Sequence, residues 1–238
     1  MPDLRSCAPI ARPASGRWGD LAIRAASAVV LAPAAVAVVW IGGIAFTLLV
    51  VAVMVGLAVE WLRLCRRPAG SALLYPAGLA YIAIAGAALL WLRDDPAAGR
   101  AHVLFLLLVV WAGDIGAYLV GRWLGGPRLA PRISPGKTWS GSIGGLLAAV
   151  AVGVLAAHLL TGGASAWRAA SIAGVLTIVA QLGDLLESFV KRRLEVKDSG
   201  TLIPGHGGLF DRLDGVMAAA PMASLLALAL GRGVVLWQ

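Results

Sequence analysis

Long apolar runs recur along this chain and constrain its fold more strongly than any other feature. Seven runs are close to the roughly 20 residues that a helix needs to cross the hydrocarbon core of a bilayer. They cover residues 22–40, 42–62, 72–92, 101–121, 139–161, 169–190 and 214–231. Because backbone N–H and C=O groups must be paired inside lipid, such runs form helices. The sequence therefore predicts an all-α, polytopic integral membrane protein with about seven transmembrane helices.

The composition agrees with a membrane location. Of the 238 residues, 60% are hydrophobic and 13% are charged, whereas a soluble domain carries about 25% charged residues. The net charge of +8 could indicate a nucleic-acid partner. In so apolar a chain, however, excess Lys and Arg are typical of cytoplasmic loops that face anionic lipid. We therefore expect no nucleic-acid partner.

The distribution of basic residues predicts the orientation in the membrane. If the N-terminus is cytoplasmic, 16 of the 20 Lys and Arg residues fall in cytoplasmic segments, which is the positive-inside pattern. Residues 1–20, with three prolines and three arginines, are predicted to form a disordered cytoplasmic tail. The loops at residues 128–141 and 191–215 are then cytoplasmic as well.

Three acidic residues, Asp114, Asp184 and Glu187, lie where the cytoplasmic third of a predicted span should be, and charges inside spans are costly and usually functional. Asp114 and Asp184 each stand seven residues from the cytoplasmic end of a span, which places both roughly 10 Å below that end. Equal depth on two helices predicts a shared polar cavity open to the cytosol. Glu187, Ser188 and Lys191 follow Asp184 at i+3, i+4 and i+7 and share its helix face. A structural stripe, in which the two acids hold Lys191, is the alternative interpretation.

Glu60 and the two cysteines are given no role in the chemistry. Glu60 lies at a membrane end near Arg63 and is interpreted as one half of a surface ion pair. Cys7 and Cys65 have no metal-ligand spacing, and no disulfide is expected between them.

The loop at residues 191–215 is polar and rich in glycine, although it separates two apolar runs. Near its end, Asp211 and Asp214 are spaced i, i+3, so a helix that starts there would turn both carboxylates to one side. Mg²⁺ prefers such oxygen ligands. The glycines at 205, 207 and 208 would let backbone N–H groups approach phosphate oxygens. Four cations that could neutralise phosphates lie in the same loop: Lys191, Arg192, Lys197 and Arg212.

A second basic loop, RLAPRISPGKTWSG at residues 128–141, offers Lys137 and the hydroxyls of Ser134, Thr138 and Ser140. Its SPGKT segment lacks the G-x-x-x-x-G-K-[ST] spacing of a nucleotide-binding P-loop, so that identification is rejected. Anchoring to anionic lipid is the alternative role for this loop. The chain thus offers acids that could bind a metal, cations that could bind phosphates, and apolar walls open to lipid. This combination predicts phosphoryl or nucleotidyl transfer onto a lipid.

One segment carries a family likeness. The stretch SFVKRRLEVKDSGTLIPGHGGLFDRLD, residues 188–214, resembles the signature of the phosphatidate cytidylyltransferases, also called CDP-diacylglycerol synthases. Upstream, VVWAGDIGAYLVGR, LAPRISPGKTWSGSIGG and QLGDLLES are similar to other segments of that family. Agreement at so many fixed positions makes coincidence a poor explanation.

The resemblance implies an all-helical membrane enzyme of phospholipid biosynthesis that makes CDP-diacylglycerol and pyrophosphate from CTP and phosphatidic acid. It implies Mg²⁺, with room for a second cation, and a homodimer in the bacterial inner membrane. Metal binding is implied for Asp184, Asp211 and Asp214, with Lys191 as a further catalytic residue. Substrate or nucleotide contacts are implied for Asp114, Ser134, Lys137, Thr138, Ser188, Arg192, Lys197, Asp198, His206, Gly207, Gly208 and Arg212.

The likeness covers about residues 101–230, and it divides the chain. Residues 101–238 are predicted to form the catalytic membrane domain, and residues 21–100 to form N-terminal membrane helices that match only generically. Ile115 departs from the family pattern, which more often has Thr or Ser after the Asp, so a polar contact beside Asp114 is in doubt. The N-terminal part is also shorter than usual in the family.

Two other functions compete with this interpretation. A CTP-dependent transferase that acts on an isoprenoid or archaeal-type lipid would use the same residues for CTP and metal. A transporter could use the intramembrane acids as a cation path, but the sequence shows no inverted repeat. Transport also gives no reason for the Gly-rich cationic loop.

Overall fold

The computed structural model describes residues 32–66, 72–163, 165–196, 199–200 and 208–238, and these residues form a helical bundle. Its helices are α1 (Ala32–Ile41), α2 (Gly43–Cys65), α3 (Leu74–Arg93), α4 (Gly99–Leu124), α5 (Trp139–Thr161), α6 (Ala166–Arg193) and α7 (Phe210–Leu230). Within this part of the chain, the six helices from α2 to α7 are long and apolar enough to cross a membrane. The prediction of an all-α polytopic membrane protein is therefore confirmed. The shorter α1 lies in the first predicted span, which begins outside the described residues.

The first two helices are joined by a single glycine. Gly42 has φ 68° and ψ −151°, a backbone conformation that side chains disfavour, and it separates α1 from α2. Arg93 at the end of α3 donates from Nε to the carbonyl of Val39 at 2.9 Å. This bond ties α1 to the end of α3.

A small hairpin interrupts the helical pattern at residues 128–138, which the sequence indicated only as a loop. Strand β1 (Arg128–Ala130) pairs with β2 (Ser134–Thr138) in an antiparallel sheet. The strands are too short and too polar for an alternating pattern to be recognised. Thr138 also caps α5, because its Oγ1 accepts a hydrogen bond from the N–H of Gly141 at 3.1 Å.

Helices α4 and α5 cross at close range through small residues. A Cβ added at Gly145 would lie 2.5 Å from the carbonyl oxygen of Gly113, so only hydrogen fits there. The small residues recur every four positions on both helices, which is the pattern of close helix contact in membranes. They are Gly113, Ala117 and Gly121 on α4, and Gly141, Gly145 and Ala149 on α5. This crossing fixes the β-hairpin beside the end of α4.

Two apolar clusters hold the bundle together. In the larger one, α4 packs against α3, α5, α6 and α7, and the buried ring of Phe105 stacks on Trp237 with centroids 4.4 Å apart. The second cluster joins α2, α3 and α7, and in it Trp61 stacks on Phe210 at 5.6 Å. The early helices therefore share a core with the last helix.

The end of the bundle away from the β-hairpin is fastened by Asp95. Its carboxylate accepts hydrogen bonds from the N–H groups of Ala97 and Ala98 before α4 and from Gly233 after α7. Burial alone would raise the pKa of Asp95, but the bonds from Ala98, Gly233 and Ala97 outweigh it and hold the pKa below its ordinary value. Asp95 thus connects the start of α4 to the end of the chain.

Large apolar side chains cover the outside of the helices. Ile44, Leu48, Leu159 and Leu182 are all more than half exposed, and many similar side chains accompany them. A soluble monomer rarely exposes so much contiguous apolar surface. This surface, together with the six long apolar helices of the described residues, identifies an integral membrane protein.

The orientation can be tested with cysteines at the two ends of α5. Gly136 lies in the β-hairpin and Gly163 follows α5, and a Cβ at either position meets no atom within 4 Å. With Cys7 and Cys65 replaced, we expect Gly163→Cys to react with an impermeant thiol reagent in intact cells. Gly136→Cys should react only after permeabilisation, because the positive-inside pattern places it in the cytosol. The reverse labelling would refute the predicted orientation.

The α4–α5 crossing should tolerate no added methyl group. We expect Gly145→Ala to lower the free energy of unfolding by about 1–3 kcal/mol, because overpacking forces the two backbones apart. The measurement is the thermal unfolding midpoint in detergent. Gly163→Ala, placed in open space, is the matched control and should unfold at the parent temperature. Equal midpoints for the two variants would contradict the close crossing.

Candidate active site

Three carboxylates converge where α6 meets α7. One oxygen from each of Asp184, Glu187 and Asp214 lies within 4.8 Å of the other two. The helices approach closely at Gly183, where a Cβ would lie 2.4 Å from the Cβ of Ala218 and 3.0 Å from the carbonyl oxygen of Asp214. The glycine that precedes Asp184 therefore brings the acid of α7 to the two acids of α6.

Like charges at this distance repel one another, and burial adds a desolvation penalty. Glu187 is 7% exposed, and its Oε1 has no hydrogen-bond donor in the described part of the chain. The ammonium of Lys191 lies 3.3 Å from that oxygen. Clustered carboxylate oxygens are the hard ligands that a divalent cation requires. The cluster of Asp184, Glu187 and Asp214 therefore fits such an ion.

Asp211 belongs to a neighbouring network. Its Oδ1 lies 2.5 Å from Nζ of Lys191. Its Oδ2 accepts from the N–H of Ser199 at 3.1 Å, from the hydroxyl of Ser199 at 3.0 Å and from the N–H of Gly208 at 3.0 Å. Both oxygens are thus engaged by donors from the protein. Lys191 links this network to the carboxylate cluster because it contacts Glu187 as well.

The predicted metal set was Asp184, Asp211 and Asp214. The structure brings Glu187, rather than Asp211, together with Asp184 and Asp214. The helix-face pattern already placed Glu187 beside Asp184, so the sequence contained the signal for it. The sequence did not indicate that Asp211 pairs with Lys191, which lies 20 residues earlier in the chain, on α6.

The β-hairpin contributes a second lysine to the same region. Nζ of Lys137 lies 2.5 Å from Oδ2 of Asp184, and both side chains remain partly exposed. Asp114 on α4 interacts electrostatically with both Asp184 and Lys137. Acids from α4 and α6 therefore belong to one polar region, and the cavity open to the cytosol stays a prediction. Ile115, next to Asp114, points outward and is 60% exposed.

The other predicted residues lie around this region or outside the described structure. Thr138 caps α5, and Ser134 begins β2 opposite Ala130. Arg192 is exposed and donates from Nε to the carbonyl of Ile133 in the hairpin at 3.2 Å. Ser188 is half-buried on α6, and Arg212 is exposed on α7. Lys197, Asp198, His206 and Gly207 lie outside the described residues.

The interpretation of Glu60 as a surface ion pair is wrong. Its side chain is 1% exposed, and its carboxylate accepts hydrogen bonds from the N–H groups of Leu209 at 3.0 Å and Phe210 at 2.9 Å. The first N–H groups of a helix have no partner within the helix, so the start of α7 offers donors to an acid on α2. The partners lie about 150 residues apart in the sequence. An acid in an otherwise apolar span was the available signal, and proximity to Arg63 obscured it.

An apolar cavity of about 190 Å³ adjoins the carboxylate cluster. Residues of α2, α3, α6 and α7 line it, among them Trp61, Leu64, Tyr81 and Leu186. Its polar end is formed by Glu187, Lys191 and Asp214. The cavity lining is thus mainly apolar, with charged side chains at one part. A molecule with an apolar body and an anionic head would match this lining.

Comparisons with known proteins show what the chain is similar to. A family model described as "Cytidylyltransferase family" matches residues 71–230. A phosphatidate cytidylyltransferase of Brucella suis is 39% identical over 251 aligned positions, which cover 87% of this chain and 93% of that relative. One of Rickettsia bellii is 36% identical over 211 positions, covering 85% and 89%. One of Staphylococcus saprophyticus is 40% identical over 145 positions, covering 61% and 56%.

The two acidic networks should respond differently to substitution. We expect Asp184→Asn, Glu187→Gln and Asp214→Asn each to weaken the binding of Mn²⁺ by about tenfold or more, because each removes a charged ligand. Asp211→Asn should change Mn²⁺ affinity by less than about threefold, since both oxygens of Asp211 are engaged by the protein. Electron paramagnetic resonance of free Mn²⁺ provides the measurement.

Asp94→Asn is the matched control for this experiment. Asp94 pairs with Arg232, and its side chain is 77% exposed. Mn²⁺ affinity should equal that of the parent in this variant. If Asp211→Asn lost the ion together with Asp184→Asn and Asp214→Asn, while Glu187→Gln retained it, the metal set predicted from the sequence would replace the cluster at the α6–α7 contact.

Proposed function

The chain belongs to the cytidylyltransferase family, and we propose that it transfers the cytidylyl group of CTP to the phosphate of phosphatidic acid. The products are CDP-diacylglycerol and pyrophosphate, and the reaction belongs to phospholipid biosynthesis. One observation carries the proposal: an apolar cavity is lined in part by Lys191 and by two members of the carboxylate cluster, Glu187 and Asp214. The relatives from Brucella and Rickettsia, which are named for this reaction, align along most of their length and support it.

The cavity is assigned to the lipid substrate. Its walls are apolar between α2, α3, α6 and α7, which suits the glycerol and the first part of the acyl chains. Lys191 stands at its polar end, 2.5 Å from Asp211 and 3.3 Å from Glu187. A lipid phosphate seated there would bond the ammonium of Lys191 and keep its acyl chains toward the membrane.

The nucleotide is assigned to the side of the β-hairpin. Lys137, at the end of β2, now pairs with Asp184. A triphosphate at this position would bind Lys137 in addition to Asp184. The hydroxyls of Ser134 and Thr138 lie on the same strand as Lys137. Arg192 is fastened to the hairpin through Ile133, so its charge also lies on this side. The hairpin would thereby orient the phosphates of CTP.

Mg²⁺ is the ion that we assign to the carboxylate cluster. Asp184, Glu187 and Asp214 would hold it, and it would offset the negative charge of the phosphates there. A second cation is compatible with the further carboxylate of Asp114, which interacts with Asp184. The acids of α6 and α7 position these charges at the polar end of the cavity.

The transfer is proposed to occur directly between the two substrates. An oxygen of the lipid phosphate forms a bond to the α-phosphorus of CTP, and the bond from that phosphorus to the pyrophosphate oxygen breaks. A phosphate monoester has a second pKa near 6 and is already anionic at neutral pH, so it needs little help from a general base. Lys137 and Lys191 would reduce the repulsion between the two anions and stabilise the charge that develops on pyrophosphate.

The site is proposed to face the cytosol of a bacterial cell from the inner membrane, because CTP is cytosolic and the basic loops surround the site. The relatives are bacterial proteins, which supports this location. Homodimerisation, implied by the family resemblance, stays a prediction.

The test is CTP turnover by the purified protein with a panel of lipids. We expect release of pyrophosphate with phosphatidic acid and Mg²⁺, and at least about tenfold less with isoprenoid or archaeal-type lipid phosphates, since the cavity would seat diacylglycerol. Lys191→Met should lower this activity by about a hundredfold, because a charge that meets the reacting phosphates is lost. Preference for another lipid would assign the chain to the competing transferase function.

Direct transfer also predicts the result of a pyrophosphate-exchange experiment. Labelled pyrophosphate should not exchange into CTP in the absence of lipid, because no covalent cytidylyl-enzyme forms. Exchange by pure, lipid-free protein, together with ping-pong kinetics, would refute direct transfer and leave the overall reaction intact.

A further inference from the structure

Glu60 on α2 connects two short segments of the chain that border the carboxylate cluster. Its Oε1 accepts from the N–H of Leu209 at 3.0 Å, and its Oε2 accepts from the N–H of Phe210 at 2.9 Å. The hydroxyl of Ser199 lies 3.4 Å from the same Oε2. A buried carboxylate with these partners satisfies N–H groups at the start of α7 that would otherwise lack acceptors.

The backbone around Glu60 is shaped to admit its side chain. A Cβ added at Gly200 would lie 2.2 Å from Oε1 of Glu60. A Cβ added at Gly208 would lie 1.8 Å from the hydroxyl oxygen of Ser199 and 2.8 Å from Oε1 of Glu60. Two glycines are therefore required for the backbone to close around the carboxylate.

The same two segments also hold Asp211. Ser199 donates from both its N–H and its hydroxyl to Oδ2 of Asp211, and the N–H of Gly208 donates to the same oxygen. Because the hydroxyl has a single proton, and lies 3.0 Å from Asp211 and 3.4 Å from Glu60, it bonds mainly to Asp211. Glu60 and Asp211 thus both bind the same two segments, at Ser199 and at residues 208–210.

We propose that Glu60 is a positioning residue for cytidylyl transfer, acting through Asp211 on Lys191. By fixing the N–H groups of Leu209 and Phe210, it sets the start of α7, and with it the carboxylate of Asp211. Asp211 in turn orients Lys191 toward the polar end of the cavity. Glu60 precedes the residues 71–230 that match the family model, so the first helices supply part of the active-site machinery. This role rests on the proposed function.

The test compares Glu60→Gln with Leu57→Ala on the same helix. Gln keeps the shape of Glu60, but its NH₂ group would face the N–H of Leu209 or Phe210 instead of accepting from it. We expect kcat per folded protein to fall about tenfold or more, with the KM for CTP within about twofold, because positioning acts on the reacting state. Leu57 is 2% exposed in the apolar cluster of α2, and its truncation disturbs packing without removing the carboxylate.

Leu57→Ala should lower the thermal midpoint while kcat per folded protein stays within about twofold of the parent. A similar loss of kcat in both variants would overturn the proposal, since it would show that packing around α2 is sufficient to explain the effect. So would a parental kcat in Glu60→Gln. If Glu60→Gln yields no folded protein, Glu60→Asp takes its place, because the shorter side chain withdraws the carboxylate from the N–H groups of Leu209 and Phe210. An unchanged kcat in Glu60→Asp would then overturn the proposal.

A double-substitution cycle tests the route of the effect. In an Asp211→Asn background, Glu60→Gln should lower the remaining activity by less than about threefold, because both residues act as one unit. A full additional tenfold loss would show that Glu60 acts independently of Asp211 and would refute the proposed route.

Hydrogen exchange separates this inference from the proposed reaction. The amides of Leu209 and Phe210 should exchange faster in Glu60→Gln than in the parent or in Leu57→Ala, whatever substrate the enzyme uses. If the parent fails to use CTP and phosphatidic acid, the proposed function fails, while this measurement still tests the contact. Parental exchange in Glu60→Gln would overturn the positioning role.

Discussion

Repulsion among Asp184, Glu187 and Asp214 is the constraint around which one end of the bundle is organised. Three carboxylates this close are unstable in a mostly apolar protein unless positive charge meets them. Lys191 and Lys137 each reach the cluster from a different element, one from α6 and one from the β-hairpin. An arrangement that is unfavourable without cations is well suited to binding a divalent cation, because the positive charge would offset the repulsion among the three carboxylates.

Small residues let the helices pack closely enough to form this arrangement. Gly183 lets α7 approach α6 beside Asp184, and Gly145 lets α5 approach α4, which carries the hairpin and Lys137 toward Asp114. In a bilayer, apolar side chains gain little by leaving lipid, so close backbone packing has to supply the specificity of helix contact. The chemistry at one end of the bundle therefore depends on glycines along the helices.

The sequence predicted the spans and many members of the site because both leave local signals. Hydropathy identified the helices, and charge within a span identified Asp114 and Asp184. The prediction failed where the partner lies far away in the chain. From the sequence, Glu60 resembles one half of an ion pair with Arg63. In the structure, it accepts hydrogen bonds from the N–H groups of Leu209 and Phe210 at the start of α7. Asp211 and Asp214 share a helix face, but Lys191 on α6 pairs with Asp211, so the two carboxylates have different surroundings, and the metal set that includes Asp211 stays a prediction.

The bond from α2 to the start of α7 has a consequence for how such proteins diversify. A protein that began at residue 71 would contain the whole family match, yet the amides of Leu209 and Phe210 would lose their acceptor. If the first helices of one relative replaced those of another, α7 would keep its acceptor only if the new α2 carried an acid at the position of Glu60. That acid would also have to face the glycines that close around Glu60. The first helices and the catalytic end of the bundle would therefore have to change together at this contact.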